Sequence, residues 1–149
     1  MIVTLTPNPS LDRTVTLPGP LVRGGVNRLS GVVVEPGGKG VNVARVLVSA
    51  GQRATAVLPA SAHDPLLLAL DAAASAGLSA RAVTVAAPVR VNTAVTEPDG
   101  TTTKLNEAGA ELGPEEIDAV ETALLDVVAA SPGAGSEGSE DPDGADARS

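Results

Sequence analysis

A glycine-rich junction, Glu35-Pro36-Gly37-Gly38-Lys39-Gly40-Val41-Asn42-Val43-Ala44-Arg45-Val46-Leu47, constrains this chain more than any other stretch. It reads as an extended segment that turns through glycines into a helix. Gly37, Gly38 and Gly40 can take positive φ and let a ligand come close to the backbone. The helix behind them offers unpaired N–H groups and the positive end of its dipole, a combination suited to an anion. Lys39, Asn42 and Arg45 recur at every third residue and so share one helix face. Val41, Val43, Ala44, Val46, Leu47 and Val48 cover most of the rest, the pattern of a helix buried on several sides. Lys39 and Asn42 at that mouth could clamp a phosphorylated or hydroxylated ligand. The same residues also fit a plain strand-to-helix turn with a solvated polar stripe, and spacing alone leaves both readings open.

Two phosphate motifs are excluded. The nucleotide P-loop needs Gly-Lys followed by Ser or Thr, and here Gly40 follows Lys39. The dinucleotide fingerprint G-x-G-x-x-G fails because Val43 stands at its third glycine.

The strands around this junction are read from alternation and punctuation. Ile2–Thr6 is β-branched and alternating, and it runs into a loop, Pro7–Arg13, set by two prolines. Asp12 in that loop would sit where ligands gather in an open α/β sheet, though local reasoning alone favours a turn or cap aspartate. Thr14–Leu17 and Val26–Val34 read as further strands. Gly51 is placed to end the central helix, Ala54–Leu58 is a buried strand, Pro65–Ala76 a helix closed by Gly77, and Ala80–Val85 a strand. This β-α-β-α-β rhythm predicts a parallel sheet with covering helices. Val89–Glu97 and Thr101–Leu105 form a hairpin about Pro98-Asp99-Gly100, and Arg90 and Asn92 share one side of their strand. Gly113-Pro114-Glu115-Glu116 opens a last helix with apolar Ile117, Val120, Leu124 and Val127.

Charge and composition narrow the function classes. Of a formal net charge of -8, half lies in residues 131–149, where Glu137, Glu140, Asp141, Asp143 and Asp146 face one base, Arg148. That Gly/Ser/Pro-rich tail has too few apolar residues to order itself and is expected to be disordered, leaving residues 1–130 as the domain. An acidic chain without Phe, Tyr or Trp lacks both the basic stripe and the stacking platforms of a nucleic-acid binder. No apolar run is long enough for a membrane span, and the N-terminus lacks a signal peptide's basic flank, so a cytoplasmic location is expected. There is no cysteine, and one histidine, His63, makes neither a triad nor a metal cluster.

Five separated segments then fit one pattern: Thr6–Arg13, Val26-Asn27-Arg28, Gly37–Arg45, Arg90-Val91-Asn92 and Leu105-Asn106-Glu107. In this order they resemble the ribokinase-like (PfkB) sugar kinases, and within them the fructose-1-phosphate kinase and tagatose-6-phosphate kinase branch. The resemblance implies an α/β fold: an incomplete ribokinase-like sheet flanked by helices, with a small β-lid that also makes a homodimer contact. It implies that Asp12, the Gly38 backbone and Asn42 hold sugar hydroxyls, that Lys39, Arg28 and Arg90 face the substrate phosphate, and that Asn92 supports the lid strand. Arg90 suits that place because a guanidinium grips phosphate oxygens as a fork. The implied activity is phosphorylation of a ketose phosphate such as fructose 1-phosphate, with Mg-ATP as the implied cofactor.

Two departures qualify it. Pro59–Asp64 has no glycine where the family usually has a glycine-rich loop. The family's Gly-Ala-Gly-Asp motif, with its catalytic aspartate, has no counterpart after Leu112, since Gly133-Ala134-Gly135 precedes Ser136. No catalytic residue and no metal ligand is therefore assigned. The chain is expected to hold the acceptor-binding half and to be inactive alone. The alternatives are a non-catalytic sugar-phosphate-binding or lid-dimerising module, or a non-functional gene fragment.

Overall fold

The structure, a computed structural model, describes residues 1–74 and 77–131. Through them the chain runs β1 (Ile2–Leu5), β2 (Ser10–Thr16), β3 (Gly31–Gly37), α1 (Lys39–Ser49), β4 (Ala54–Ala60), α2 (Pro65–Ala73), β5 (Leu78–Thr84), β6 (Arg90–Thr96), β7 (Thr102–Asn106) and α3 (Pro114–Ala129). The strands divide between two sheets. β1, β4 and β5 form a parallel body in the order β1-β4-β5, and β3, β2, β6 and β7 form a separate four-stranded sheet, the lid. Within the lid β2 pairs antiparallel to β3 and parallel to β6, while β6 and β7 make the expected hairpin.

The body is built on β4, all seven residues of which are buried. A strand buried on both faces needs cover from both sides. Ala54, Ala56, Leu58 and Ala60 pack with Val41 and Ala44 of α1 and with Leu66 and Leu70 of α2. The alternate residues face the other layer, where α3 lies across β1, β4 and β5. This is the sheet flanked by helices that the β-α-β-α-β rhythm predicts. Among the described residues β1 pairs on one side only, and its Ile2 and Leu5 are 39% and 38% exposed.

The body and lid are tied through Asp64, a carboxylate only 4% exposed. Its Oδ1 accepts from the Leu66 N–H at 3.0 Å, capping α2. Its Oδ2 accepts from Ser61 Oγ and from the Val89 N–H, each at 2.9 Å, so it also holds the chain as it enters β6. Removing a cap costs about 1 kcal/mol, and orphaning a buried amide about 2 kcal/mol more. Asp64→Ala should therefore destabilise the fold by roughly 3 kcal/mol in urea titration, with Asp64→Asn costing distinctly less.

Three expectations are corrected. Asp12 is not in a loop: β2 begins at Ser10, and Asp12 lies inside it. Hydrogen bonding along both edges of β2 overrides the weak strand propensity of Asp and the prolines just upstream. Residues 26–30 are not strand, because Asn27 folds back, accepting from the Val22 N–H at 2.8 Å and donating to the Val22 carbonyl at 2.9 Å. Helix α1 is not buried on several sides, since Val43 and Val46 are 52% and 69% exposed. Of the three junction glycines only Gly38 takes positive φ, at 108°. Other boundaries move by a few residues, and α2 ends at Ala73. The stretch 132–149, expected to be a disordered acidic tail, lies outside the described residues.

Candidate functional site

Strand register assembles the site on one face of the lid. Glu35 pairs with Asp12, Asp12 with Asn92, and Asn92 with Asn106, a polar row crossing all four strands. Two residues earlier, on the same face by the strand period, Gly37, Ser10 and Arg90 form a second row. Like charges opposite one another destabilise a sheet. Glu35 beside Asp12 is offset by Arg45, whose Nη2 lies 2.9 Å from Glu35 Oε1. Arg45 thus serves the α1–lid junction and leaves Lys39 and Asn42 as the exposed polar residues of the first helical turns.

Asp12 is held on one oxygen and open on the other. Its Oδ1 accepts from Ser10 Oγ at 2.7 Å and from Asn92 Nδ2 at 3.1 Å, while Oδ2 accepts from no described residue. The missing Cβ of Gly37 leaves the space at Oδ2, since any side chain there would collide with the carboxylate. Gly38 combines φ 108° with ψ 148°, a region only glycine enters without strain. A Cβ at Gly38 would also stand 3.1 Å from Pro9 Cα. The turn therefore brings the α1 N-terminus, which has no side-chain cap, up against Ser10 and the Asp12 row.

Two buried polar atoms in these rows lack partners: Arg90 Nε and Asn92 Oδ1. Asn92 must turn its Nδ2 to the acceptor-only carboxylate of Asp12, which leaves its carbonyl oxygen free. Arg90 Nη2 reaches the Asn8 carbonyl at 3.3 Å, a long bond that leaves the guanidinium available. A free acceptor, a free carboxylate oxygen and a free guanidinium donor are the groups that hydroxyls and a phosphate would satisfy. The row opens on a cleft of about 270 Å³ lined by Asp12, Glu35, Asn92, Lys104 and Asn106.

Asp12 and Asn92 share that cleft, Arg90 stands one strand period away on the same lid face and lines a hollow with Asn8 and Pro9, and Gly38, Lys39 and Asn42 form the helix mouth, which meets the lid where Gly38 abuts Pro9 and Ser10. Arg28 does not join them. It lines a separate hollow with Leu17, Pro18 and Val26, beyond the far end of β2. Sequence reasoning missed Ser10, Glu35, Lys104 and Asp64. The register of the hairpin about Pro98-Asp99-Gly100 was the signal for Lys104, because it sets Ala94 opposite that residue. Two peripheral carboxyls are held low by hydrogen bonds. Glu116 lies below the usual carboxylate range because the Ala86 N–H and then the Gly113 N–H donate to it. Asp99 is lowered by the Thr101 amide in the hairpin turn. Among the described residues no group of three or more His, Cys, Asp or Glu could hold a metal ion. No described helix is long and apolar enough to cross a membrane.

A parallel α/β body carrying a separate lid sheet, with a glycine turn delivering a helix end to that sheet, is the architecture of the ribokinase-like (PfkB) carbohydrate kinases, and this chain is similar over most of its length to part of that family's members. Within it the similarity runs to phosphofructokinases. The chain is 37% identical over 124 residues to a 1-phosphofructokinase of Haloferax volcanii, covering 83% of this chain and 40% of that protein. It is 33% identical over 129 residues to a 1-phosphofructokinase of Rhodobacter capsulatus, covering 86% and 40%. Phosphofructokinase-2 from Escherichia coli, solved in complex with fructose-6-phosphate, superposes with a TM-score of 0.75 at 31% identity, over 84% of this chain and 41% of that one. The same enzyme is also known in a tetrameric inhibited form, with a TM-score of 0.75 at 30% identity over 85% and 41%. The chain thus spans about 40% of the length of the curated relatives it matches. No family model matches it.

Proposed function

We propose that this chain is the acceptor-binding half of a sugar-phosphate kinase of the 1-phosphofructokinase kind and binds a ketose phosphate such as fructose 1-phosphate. The observation that carries this reading is the pairing of an open Asp12 Oδ2 with a buried, partnerless Arg90 Nε on one lid face. A carboxylate accepts hydrogen bonds from hydroxyls, and a guanidinium donates to a phosphate. Gly38, Asn42 and Lys39 close the site from the helix mouth, and Asn92 supports Asp12. Phosphoryl transfer rests on positioning and charge stabilisation around the transferred group, which Mg-ATP and an anion hole supply in the whole kinase. No described residue is placed for that part, so the chain alone binds without turnover. A cytoplasmic location suits a cysteine-free sequence of this kind.

Lid-to-lid pairing of two copies is a further part of the proposal. Val32 and Leu105 on the lid are 48% and 59% exposed, and Val26 beside Arg28 is 87% exposed. An exposed apolar lid face favours a partner. Arg28, remote from Asp12 within one chain, would then serve the site of the second copy.

Isothermal titration tests the reading. Fructose 1-phosphate should bind the parent chain, and Arg90→Ala should weaken it about 30-fold while leaving weak binding of unphosphorylated fructose nearly unchanged. No heat with any ketose phosphate would reject the reading. ADP release from Mg-ATP by the chain alone, abolished by Asp12→Ala, would overturn the expected lack of turnover.

A further inference from the structure

The amides of the two residues on either side of Arg90, Val89 and Val91, are both held by carboxylates from elsewhere in the chain. On one side the Val89 N–H donates to Asp64 Oδ2 at 2.9 Å. On the other the Val91 N–H donates to Glu107 Oε2 at 2.8 Å. The β6–β7 ladder has its last pair at Asn92 and Asn106. Glu107 continues it by one step, with its own N–H reaching the Val91 carbonyl at 3.4 Å while its side chain takes the Val91 amide. Asp64 approaches from the body, already fixed as the cap of α2.

We propose that Glu107 and Asp64 are positioning residues that together fix the backbone of Arg90 and so aim its guanidinium at the phosphate. The guanidinium has little else to orient it. Its long bond to the Asn8 carbonyl, 3.3 Å, is a weak restraint, and its Nε is buried without a partner. A long side chain with a free head group is directed chiefly by its Cα, and two carboxylate–amide bonds hold the backbone of the residues before and after it. The arrangement also makes the phosphate end of the site depend on the body–lid junction, because Asp64 belongs to one and β6 to the other. This inference rests on the reading of Arg90 as the phosphate ligand.

The test reads the Arg90 Nε–H directly by proton–nitrogen correlation spectroscopy, with its peak assigned by its loss in Arg90→Lys. In the parent chain that proton should exchange slowly with water. Glu107→Ala, at an exposed position that leaves the fold intact, should accelerate its exchange about tenfold and weaken binding of inorganic phosphate about tenfold. Glu107→Gln keeps the one acceptor oxygen that its bond uses and should restore both, whereas Asp64→Asn has one acceptor oxygen for the two that Asp64 uses, so with it committed to the α2 cap the Val89 amide is released and the Nε–H should exchange faster. Unchanged Nε–H exchange in Glu107→Ala and Asp64→Asn would overturn the inference, whatever happens to binding. A responsive Nε–H in a chain that binds no phosphate would uphold the positioning and reject the phosphate reading instead.

Discussion

Replacing Gly40 with alanine should destabilise the chain by about 3 kcal/mol or more, against the direction that helix propensity gives. Gly40 lies inside α1, where alanine is intrinsically better than glycine by about 1 kcal/mol. Yet a Cβ there would stand 2.5 Å from the Leu5 carbonyl oxygen and collide with Thr6 Oγ1. Neither neighbour can step aside cheaply. Leu5 pairs with Val57 in the β1–β4 ladder, and the Thr6 amide donates to the Val57 carbonyl at 2.9 Å. Helix α1 would have to lift from β1, exposing Val41 and Ala44, both fully buried. Gly51→Ala is the control: its φ is 81° but it faces open space, so the cost is confined to backbone strain of about 1 kcal/mol. Urea titration of the two variants should separate them by about 2 kcal/mol. A Gly40→Ala chain as stable as its parent would show that α1 does not cross β1 this closely.

That glycine shows where sequence reading stops. The junction was visible as a strand entering a helix, and β3, α1 and their order were legible from it. The reason for each glycine was not. Freedom in φ explains Gly38 alone, whereas Gly37 makes room for the Asp12 carboxylate and Gly40 for the backbone of β1. Both of those reasons are contacts with residues far away in sequence, which no local pattern encodes. The exposure of Val43 and Val46 escaped for a related cause, since periodicity reports apolar residues and not whether anything covers them.

The site divides along the same line. Arg90 and Asn92 were placed on one side of their strand by the two-residue period, and the structure keeps them there. The strand setting of Asp12 is not legible in the sequence, because local signals from Pro7 and Pro9 are strong while pairing with two remote strands is silent there. Asp64 lay in a segment noted only for lacking glycine, yet it bonds to three groups and joins the lid to the body. A buried carboxylate is recognised by what it touches, and those partners, Ser61, Leu66 and Val89, lie both before and after it in the chain, Val89 beyond β5.

Asp12→Ala should abolish measurable binding of fructose 1-phosphate, a loss of at least about 100-fold, with a change in stability below about 1 kcal/mol. The two halves of this expectation have different sources. A carboxylate that accepts hydroxyl bonds contributes about 1.5–3 kcal/mol for each bond, so two such bonds account for the loss. Stability is nearly unaffected because the opposing terms are close. Removing Asp12 leaves Asn92 Nδ2 and the Ser10 hydroxyl without their acceptor, but the hydroxyl can rotate to another, and the change also removes a negative charge set directly opposite Glu35 in the β2–β3 ladder. Asp12→Asn sharpens the comparison. An amide can still accept from Ser10 Oγ on one side, but it presents N–H donors where Oδ2 was open, which turns an acceptor for sugar hydroxyls into a competitor. It should therefore bind no better than Asp12→Ala while melting like the parent. If both variants instead lose stability in step with binding, Asp12 is a structural strand residue, and the hydroxyl-binding role passes to Asn92 Oδ1, the other free acceptor of the row.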